Sequence, residues 1–185
     1  LELQREERSD YDPRARSFYR LAVDKRARAW TAPYPFYTTH YTGVTRTQPI
    51  YLGSRLHAVV TVDFDVNAMS SYLKERQLPG MRALLYASDG TLLAYPHGAD
   101  RIAKLPLRSD RPLRYDDLRD PVLAAFFTAA NRNASERLRL DSFEAEDERF
   151  LIAVAPASND PGLPWYVAYL SPESYFLREL HAYGR

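Results

Sequence analysis

The residues whose types and spacing could bind a ligand lie in the first seventy positions. Arginines and aromatic residues follow one another shortly after Asp12, and an aspartate comes near the end of a later strand-like run. A guanidinium can hold a carboxylate through two parallel hydrogen bonds, an aspartate can hold an ammonium, and aromatic rings can wall the space between them. This constellation predicts a binding pocket without a reaction. Its residues are Arg14, Arg16, Phe18, Tyr19, Trp30, Tyr34 and Asp63.

The sequence lacks the motifs that support common catalytic chemistry. It contains no G-x-S-x-G, no G-x-x-x-x-G-K-[ST], no G-x-G-x-x-G and no H-E-x-x-H. These absences argue against an acyl nucleophile, a phosphate cradle, a dinucleotide site and a catalytic zinc. We therefore expect no catalytic residue, no metal ligand and no cofactor. The histidines are scattered singly, at His40, His57, His97 and His181.

One enzymatic alternative rests on two aspartates. Asp63 and Asp65 alternate along a predicted strand and so share one of its faces. They could form a carboxylate pair for acid–base catalysis, as in a hydrolase. The simpler interpretation is a strand end with two solvated aspartates, and no positioned histidine or metal motif supports catalysis.

Composition excludes several classes of protein. The 185 residues carry 25 Lys and Arg against 24 Asp and Glu, for a formal net charge of +1, and no Cys. With no polybasic stripe, nucleic acid is not an expected partner. Disulfides and zinc sites of the cysteine type are excluded. No run of eighteen or more apolar residues and no charged-then-apolar leader is present, so a membrane tether is expected outside this stretch.

The first eighty residues predict one helix, two strands and a second helix. Asp12-Pro13 is a helix start, and apolar residues at helical spacing carry the helix from Pro13 to about Arg28. Pro49 to Gly53 and His57 to Asp65 are extended runs. Asn67 can cap a helix to about Gln77.

The pattern restarts after Pro79-Gly80, and this restart is the predicted boundary between domains 1–80 and 81–185. ALLYA and TLLAY, joined by Ser88-Asp89-Gly90, indicate a hairpin, and Gly98 to Arg119 is a predicted loop. Two strands, a helix and three strands in this order predict one antiparallel sheet flanked by helices, in an α+β class. The remaining predicted elements are a helix opened by Asp120-Pro121, strands at Glu136 to Leu140, Arg149 to Ala155 and Trp165 to Leu170, and a final helix from Ser171 to Arg185.

Several motifs, in the family's order along the chain, resemble the double Cache (dCache) family of PAS-like sensors. YDPRARSFYRLAV, WTAPY and AVVTVDFDVNAMSSYL resemble that family's DPR-x-R-x-W-Y helix, W-x-x-PY loop and strand ending in Asp. ALLYASDGTLLAYPHG resembles the start of its second, membrane-proximal module, and PWYVAYLSPESYF resembles the end of that module. The resemblance runs from Tyr11 to Phe176.

The resemblance implies an extracytoplasmic sensing region with two PAS-like modules. In this family such a region feeds a cytoplasmic kinase, cyclase or methyl-accepting domain through transmembrane helices. Here the membrane-distal module, 1–80, resembles a partial one without its N-terminal part, and 81–185 resembles the membrane-proximal module with an output helix. The implied chain is non-catalytic and periplasmic, tethered to the inner membrane by flanking segments, and able to form a homodimer.

The resemblance also implies roles for single residues. By position, Arg16 would hold a ligand carboxylate and Asp63 its ammonium, with Tyr19 and Tyr34 as polar walls. Two departures lie in this site. Phe18 stands where amino-acid-binding members have Trp, and Phe36 stands where they have Asp.

The loss of one carboxylate weakens the case for an ammonium, because a buried amine with too few partners is costly. A small carboxylate or a less polar ligand is then as consistent with the sequence as an amino acid. Two alternatives stay open: Arg16 and Asp63 could simply pair with each other, or the region could be a structural or dimerisation spacer with no small-molecule ligand. The expected ligand-binding residues are Arg16, Phe18, Tyr19, Trp30, Tyr34, Phe36 and Asp63.

Overall fold

The computed structural model describes residues 11–106, 108, 110–130, 138–158, 163–175 and 177–178. Three short 3-10 turns, Pro13–Ala15, Pro96–Gly98 and Tyr115–Leu118, accompany the helices and strands. The helices are α1 (Ser17–Lys25), α2 (Val66–Lys74), α3 (Ala99–Lys104) and α4 (Pro121–Ala130). The strands are β1 (Ala29–Trp30), β2 (Tyr34–Pro35), β3 (Thr42–Leu52), β4 (Arg55–Asp65), β5 (Arg82–Ala87), β6 (Leu92–Ala94), β7 (Arg139–Ala145), β8 (Glu148–Pro156) and β9 (Trp165–Pro172).

The chain divides into two compact units. The first unit takes in the chain up to Ala32 together with Val44–Asp63, and the second takes in Pro33–Gly43 and everything from Phe64 onward. The domain boundary predicted at residue 80 stays a prediction. No helix in the described ranges is long and apolar enough to cross a membrane.

The first unit begins with two helical pieces where the sequence predicts one helix. Asp12 accepts a hydrogen bond from the backbone N–H of Arg14, as the predicted cap requires, but it caps the 3-10 turn Pro13–Ala15. Arg16 then takes an extended conformation (φ −83°, ψ 154°), and α1 starts at Ser17. The helix ends at Lys25 because Arg26 has a left-handed backbone (φ 51°). The single helix predicted for Pro13–Arg28 is therefore wrong in its continuity and in its end.

The strands of the first unit follow the predicted extended runs and lengthen them. β3 pairs antiparallel with β1, which places Trp30 opposite Arg46, and it also pairs with β4. Gly53, in the turn that joins β3 to β4, has a positive φ of 61°, which favours glycine. Val44, Thr45 and Thr47 are buried along β3.

The second unit contains a five-stranded antiparallel sheet in the order β6-β5-β9-β8-β7. The predicted β5/β6 hairpin is confirmed, and Gly90 in its turn has a φ of 86°. At the start of this unit, β2 pairs with the first two residues of β3. Antiparallel sheets with flanking helices confirm the predicted α+β class.

Helix α4 supplies the centre of the second unit's core. Val122, Leu123 and Phe126 on this helix are fully buried. Phe126 packs edge-on against Tyr86 of β5, with ring centroids 5.6 Å apart. Since α4 is apolar on nearly every turn, its burial against the sheet adds to the hydrophobic stabilisation of this unit.

Asp120 links α4 to the rest of this core. Its carboxylate is 4% exposed, caps α4 by accepting hydrogen bonds from the N–H groups of Val122 and Leu123, and accepts another from the Tyr95 hydroxyl at 3.0 Å. Arg82 lies 3.7 Å from the same carboxylate. Burial, above all, raises the pKa of Tyr95, so its hydroxyl stays protonated and able to donate.

Two predicted helix starts move by a few residues. Asp65, rather than Asn67, caps α2, because its carboxylate accepts hydrogen bonds from the N–H groups of Asn67 (2.9 Å) and Ala68 (2.8 Å). Ser171-Pro172 does not open a helix, because both residues still pair with β8 at the end of β9. Helical residues follow at Glu173–Tyr175, and the part of the predicted final helix from residue 179 onward lies outside the described residues.

Two further predictions need correction. The predicted loop Gly98–Arg119 contains α3, because Ile102 at its centre enters the core with 5% exposure. The strand predicted at Glu136–Leu140 is β7, which starts at Arg139 and runs to Ala145, while residues 136 and 137 lie outside the described ranges. Stacking of Phe143 on Phe150 across the β7/β8 pair accounts for this later register.

Replacing Asp120 tests its place in the core. We expect Asp120→Ala to lower the free energy of unfolding by about 3 kcal/mol, because α4 loses its cap and the buried Tyr95 hydroxyl loses its acceptor. Urea denaturation followed by circular dichroism measures this. The control is Asp116→Ala, whose side chain is 59% exposed and whose loss should stay within about 0.5 kcal/mol. Equal losses in the two variants would contradict this role of Asp120.

A pH series tests a second carboxylate of this unit. Hydrogen bonds from Arg111 lower the pKa of Asp117. A carboxyl group with a lowered folded-state pKa stabilises the fold above its unfolded value of about 3.9, and this stabilisation is lost as the pH falls through the folded-state pKa. We expect Asp117→Asn to unfold more easily than wild type at pH 7, with the difference shrinking below about pH 4. A difference that is constant from pH 7 to pH 3 would refute the prediction.

Candidate functional site

Two arginines precede α1, and the structure gives them different environments. Arg14 donates to Asp12 from Nε (3.0 Å) and Nη2 (3.1 Å), and its side chain is 73% exposed. Arg16 is half-buried at the N-terminus of α1, where its backbone N–H donates to the carbonyl of Pro13. The side chain of Arg14 is thus engaged by Asp12 at the protein surface, and Arg16 stays the residue predicted to hold a ligand carboxylate.

Asp63 is held in place by a chain of hydrogen bonds from β3. The Thr45 hydroxyl donates to Asp63 Oδ1 at 2.7 Å. The backbone N–H of Thr45 donates to the hydroxyl of Thr31 at 2.9 Å, and the N–H of Thr31 donates to the carbonyl of Thr45 at 3.0 Å. Thr45 is fully buried and Thr31 is 3% exposed. The orientation of the Asp63 carboxylate is therefore fixed by a buried part of the first unit.

The Asp63 carboxylate has a partner on β3. Asp63 accepts its hydrogen bond from Thr45, and no ion pair joins it to Arg16 among the residues whose placement is described. A carboxylate that accepts one hydrogen bond has further lone pairs available. Asp63 is exposed, so those lone pairs can accept from a ligand ammonium.

Thr47, on the same face of β3 as Thr45, has a buried hydroxyl without a partner among the described residues. Thr47 lies two residues from Thr45, so both side chains point to the same side of β3. Both are fully buried. Over the described part of the chain, the Thr47 hydroxyl has no hydrogen-bond partner. A buried hydroxyl without a partner is costly, so this face of β3 contains a hydroxyl that could still form a hydrogen bond.

The aromatic residues of the first unit line α1 and β1. Phe18 and Tyr19 lie in the first turn of α1 and are half-buried. α1 contacts β1, which contains Trp30. The guanidinium of Arg46 lies over the Trp30 ring, 5.0 Å from its centroid, so one face of this ring is already covered.

Tyr34 and Phe36 belong to the second unit. Their rings meet edge to face, with centroids 5.3 Å apart. Phe36 packs against Gly43, where a Cβ would lie 2.3 Å from Phe36 Cζ and 2.7 Å from the Phe64 carbonyl oxygen. Glycine at position 43 is thus required by this close approach, and Phe36 is part of the packing around β2 and the start of β3.

The structure thus brings five of the seven predicted residues into the first unit and two into the second. The enzymatic alternative pairs Asp65 with Asp63, but the Asp65 carboxylate caps α2. Thr31, Thr45 and Thr47 were missed by the sequence reasoning. Their only signal is an alternation of threonines in a β-prone run, which is typical of many strands.

The second unit has a pocket of about 120 Å³ that none of the seven predicted residues lines. Its wall includes Tyr41 and Thr42 at the start of β3 and residues between Ile102 and Asp117. Within the described ranges, no group of three or more His, Asp or Glu side chains could hold a metal ion.

One family model matches the start of the chain. Residues 1–71 match the model described as "Methyl-accepting chemotaxis protein-like, first PDC sensor domain". No curated protein sequence matches the chain.

Solved structures match the whole chain in fold. The ligand-binding domain of Mlp24 with asparagine is 19% identical, with a TM-score of 0.59 over 95% of this chain and 63% of that one. The amino-acid chemoreceptor PctB of Pseudomonas aeruginosa PAO1, in complex with L-Arg, is 20% identical, with a TM-score of 0.59 over 91% and 64%. The chemoreceptor CtaA of Pseudomonas fluorescens, in complex with L-isoleucine, is 17% identical, with a TM-score of 0.61 over 93% and 63%.

At these identities the likeness establishes the fold. The chain spans less than two thirds of the length of each of the three structures. Residues 1–71 thus match a model of a first PDC sensor domain, and more than nine tenths of the chain shares the fold of three solved ligand-binding domains.

Proposed function

We propose that this chain is the extracytoplasmic ligand-sensing part of a bacterial transmembrane receptor and that it binds a small molecule carrying a carboxylate, with an amino acid as the leading class. The observation that carries the proposal is the hydrogen-bond chain from Thr31 through Thr45 to Asp63. It presents an exposed carboxylate in a fixed orientation from a buried base, which is how a ligand amine is held with little loss of side-chain freedom.

Arg16 supplies the opposite charge. Its guanidinium suits the planar carboxylate of an amino acid or small acid, which it can hold through two hydrogen bonds. Phe18, Tyr19 and Trp30 belong to the same unit and supply aromatic surface for the rest of the ligand. Tyr34 and Phe36 stay predictions for this site.

The three solved structures compared above, which contain asparagine, L-Arg and L-isoleucine, support the choice of an amino acid. The departures at Phe18 and Phe36 keep simple carboxylates within the proposed class. A single carboxylate, Asp63, then has to balance the positive charge of a ligand ammonium. The amine therefore contributes less affinity here than in a site with two carboxylates.

Signalling in this proposal is a population shift. A ligand changes the equilibrium between two conformations only by its difference in affinity for them. We place the receiving element after β9, where helical residues begin at Glu173. The receptor is tethered by flanking segments to the inner membrane, faces the periplasm, and is homodimeric. Its output is a cytoplasmic kinase, cyclase or methyl-accepting domain.

A thermal-shift screen tests the ligand class. The 185-residue chain is screened against amino acids, small carboxylates, amines and purines. A compound at a hundred times its dissociation constant should stabilise the fold by roughly 2.7 kcal/mol. We expect an amino acid or carboxylate to raise the melting temperature of wild type but not of Arg16→Ala.

The matched control for this screen is Arg20→Ala, one turn further along α1 and exposed. It should respond to the ligand as wild type does. A screen without any active compound would favour the spacer alternative, and a shift that survives in Arg16→Ala would remove Arg16 from the site.

A pair of threonine variants tests how Asp63 is held. Thr45→Val keeps the shape of the side chain but removes the donor to Asp63, so we expect the fold to lose about 1 kcal/mol and an amino-acid ligand to bind about tenfold more weakly. Thr47→Val removes a hydroxyl that has no partner on the described residues, and should leave the fold as stable as wild type or more so. Chemical denaturation and titration calorimetry measure both. The proposal fails if Thr45→Val binds the amino acid as wild type does.

A further inference from the structure

The pocket of the second unit has an apolar wall. Val66 at the start of α2 is 1% exposed and Ile102 of α3 is 5% exposed, and Leu105 and Leu113 complete this side of the pocket. The Thr42 hydroxyl, also in the lining, accepts a hydrogen bond from the backbone N–H of Leu113. This bond fixes the segment around Leu113 to the start of β3 and leaves the interior of the pocket mainly aliphatic.

Arg111 lines this pocket, and three hydrogen bonds define the orientation of its guanidinium. Its Nη1 donates to Asp117 Oδ2 at 2.8 Å and to the Pro112 carbonyl at 3.1 Å, and its Nη2 donates to Asp117 Oδ1. The outer edge of the guanidinium, between the two Nη atoms, is therefore occupied. The adjacent edge, formed by Nε and the second proton of Nη2, donates to no residue in the part of the chain that the structure describes. That edge matches a carboxylate bidentately.

The carboxylate in the pocket is fully engaged by the protein. Asp117 accepts two hydrogen bonds from Arg111 and one from the backbone N–H of Arg114 at 2.9 Å. Its negative charge is balanced by the guanidinium of Arg111. A second lining arginine, Arg108, donates to Asp110 from Nε (3.0 Å) and Nη2 (2.9 Å). The lining also contains His40 and Tyr41. The pocket thus offers donors to an anion and no spare carboxylate to an ammonium.

The volume limits the ligand. A cavity of roughly 150 Å³ accommodates a six-carbon ring, so the pocket of about 120 Å³ fits a ligand of about four to six heavy atoms. Two of these atoms are carboxylate oxygens, which leaves a short aliphatic chain.

We propose that this pocket binds a short aliphatic monocarboxylate that lacks an amino group, with its carboxylate on the Nε–Nη2 edge of Arg111 and its chain against Ile102 and Leu105. The site shares no lining residue with the Arg16 site and goes beyond the proposed function. A receptor with both sites would read an amino acid in one unit and a simple organic acid in the other. The difference between the ligands is the α-ammonium, for which one site has Asp63 and the other has no available carboxylate.

The test uses butyrate and 2-aminobutyrate, which differ only by the amino group. The 185-residue chain is titrated with each while the Nε–H resonance of Arg111 is followed by ¹H–¹⁵N NMR. We expect butyrate to shift this resonance in a saturable manner in wild type and in Arg16→Ala. 2-Aminobutyrate should need at least a tenfold higher concentration for the same shift.

Variants separate this pocket from other sites. Arg111→Gln should weaken butyrate binding, measured by titration calorimetry, about tenfold or more. The control, Arg119→Gln, removes an exposed arginine of the same segment that does not line the pocket, and should bind as wild type. Because Arg111→Gln also unpairs Asp117, Leu105→Phe provides a second variant, which fills the pocket, keeps the ion pair and should abolish binding.

Each of the following outcomes overturns the proposal: no saturable shift of the Arg111 resonance, butyrate binding that survives in both Arg111→Gln and Leu105→Phe, or equal affinity for the two probes. The result for Arg16→Ala keeps this test apart from the proposed function. Butyrate binding that is lost in Arg16→Ala and retained in Arg111→Gln would place the acid in the first unit and refute the second site.

Discussion

The hydrogen bond from Thr45 to Asp63 ties the central strand of the first unit to the end of the next strand, and the proposed site depends on it. Thr45 is itself fixed by a reciprocal pair of hydrogen bonds with Thr31. Because Thr45 and Thr31 are buried, water does not compete for the hydrogen bonds between them. Loss of these hydrogen bonds would leave buried polar groups unpaired. Asp63 can therefore be exposed and still have a defined direction, which an aspartate at a frayed strand end would lack.

The second unit contains a buried carboxylate, Asp120, whose charge the surrounding groups compensate. Asp120 caps α4, accepts a hydrogen bond from Tyr95 and lies beside Arg82 and Arg101, and these groups together compensate its charge. Asp117 in the same unit is compensated by Arg111 and by a backbone N–H. The two aspartates are used by the fold, whereas Asp63 is held by a neutral hydroxyl and keeps its charge for a ligand. This difference in partners is what separates a structural aspartate from a binding one here.

Local signals in the sequence predicted much of this fold. Asp12 and Asp120 cap helical turns as expected, and Gly90 takes the positive φ that the β5/β6 hairpin requires. These features act within a few residues, so the sequence contains them directly. The wrong predictions of secondary structure lie where contacts between distant parts of the chain determine the conformation. β8 extends β9 through Ser171-Pro172, which otherwise resembles a helix start, and the core draws Ile102 into a helix inside a Pro-punctuated loop.

The sequence proposes the charged residues of the candidate site but not the threonines that orient one of them. Arg16 and Asp63 are found from motifs, but the threonines that orient Asp63 are separated from it by up to 32 positions and resemble ordinary strand residues. Phe36 shows the converse. The sequence marks it as a departure in a binding motif, and the structure shows its ring packed against Gly43. Position in a motif therefore predicts where a residue lies better than what its side chain contacts.

A crystal structure of the chain with the amino acid that stabilises it most tests the central claim most directly. The account predicts the ligand carboxylate within hydrogen-bond distance of the Arg16 guanidinium, and the ligand ammonium on Asp63 while Thr45 still donates to the same carboxylate. An amino acid bound away from Arg16 and Asp63, with both side chains arranged as in the ligand-free chain, would contradict it.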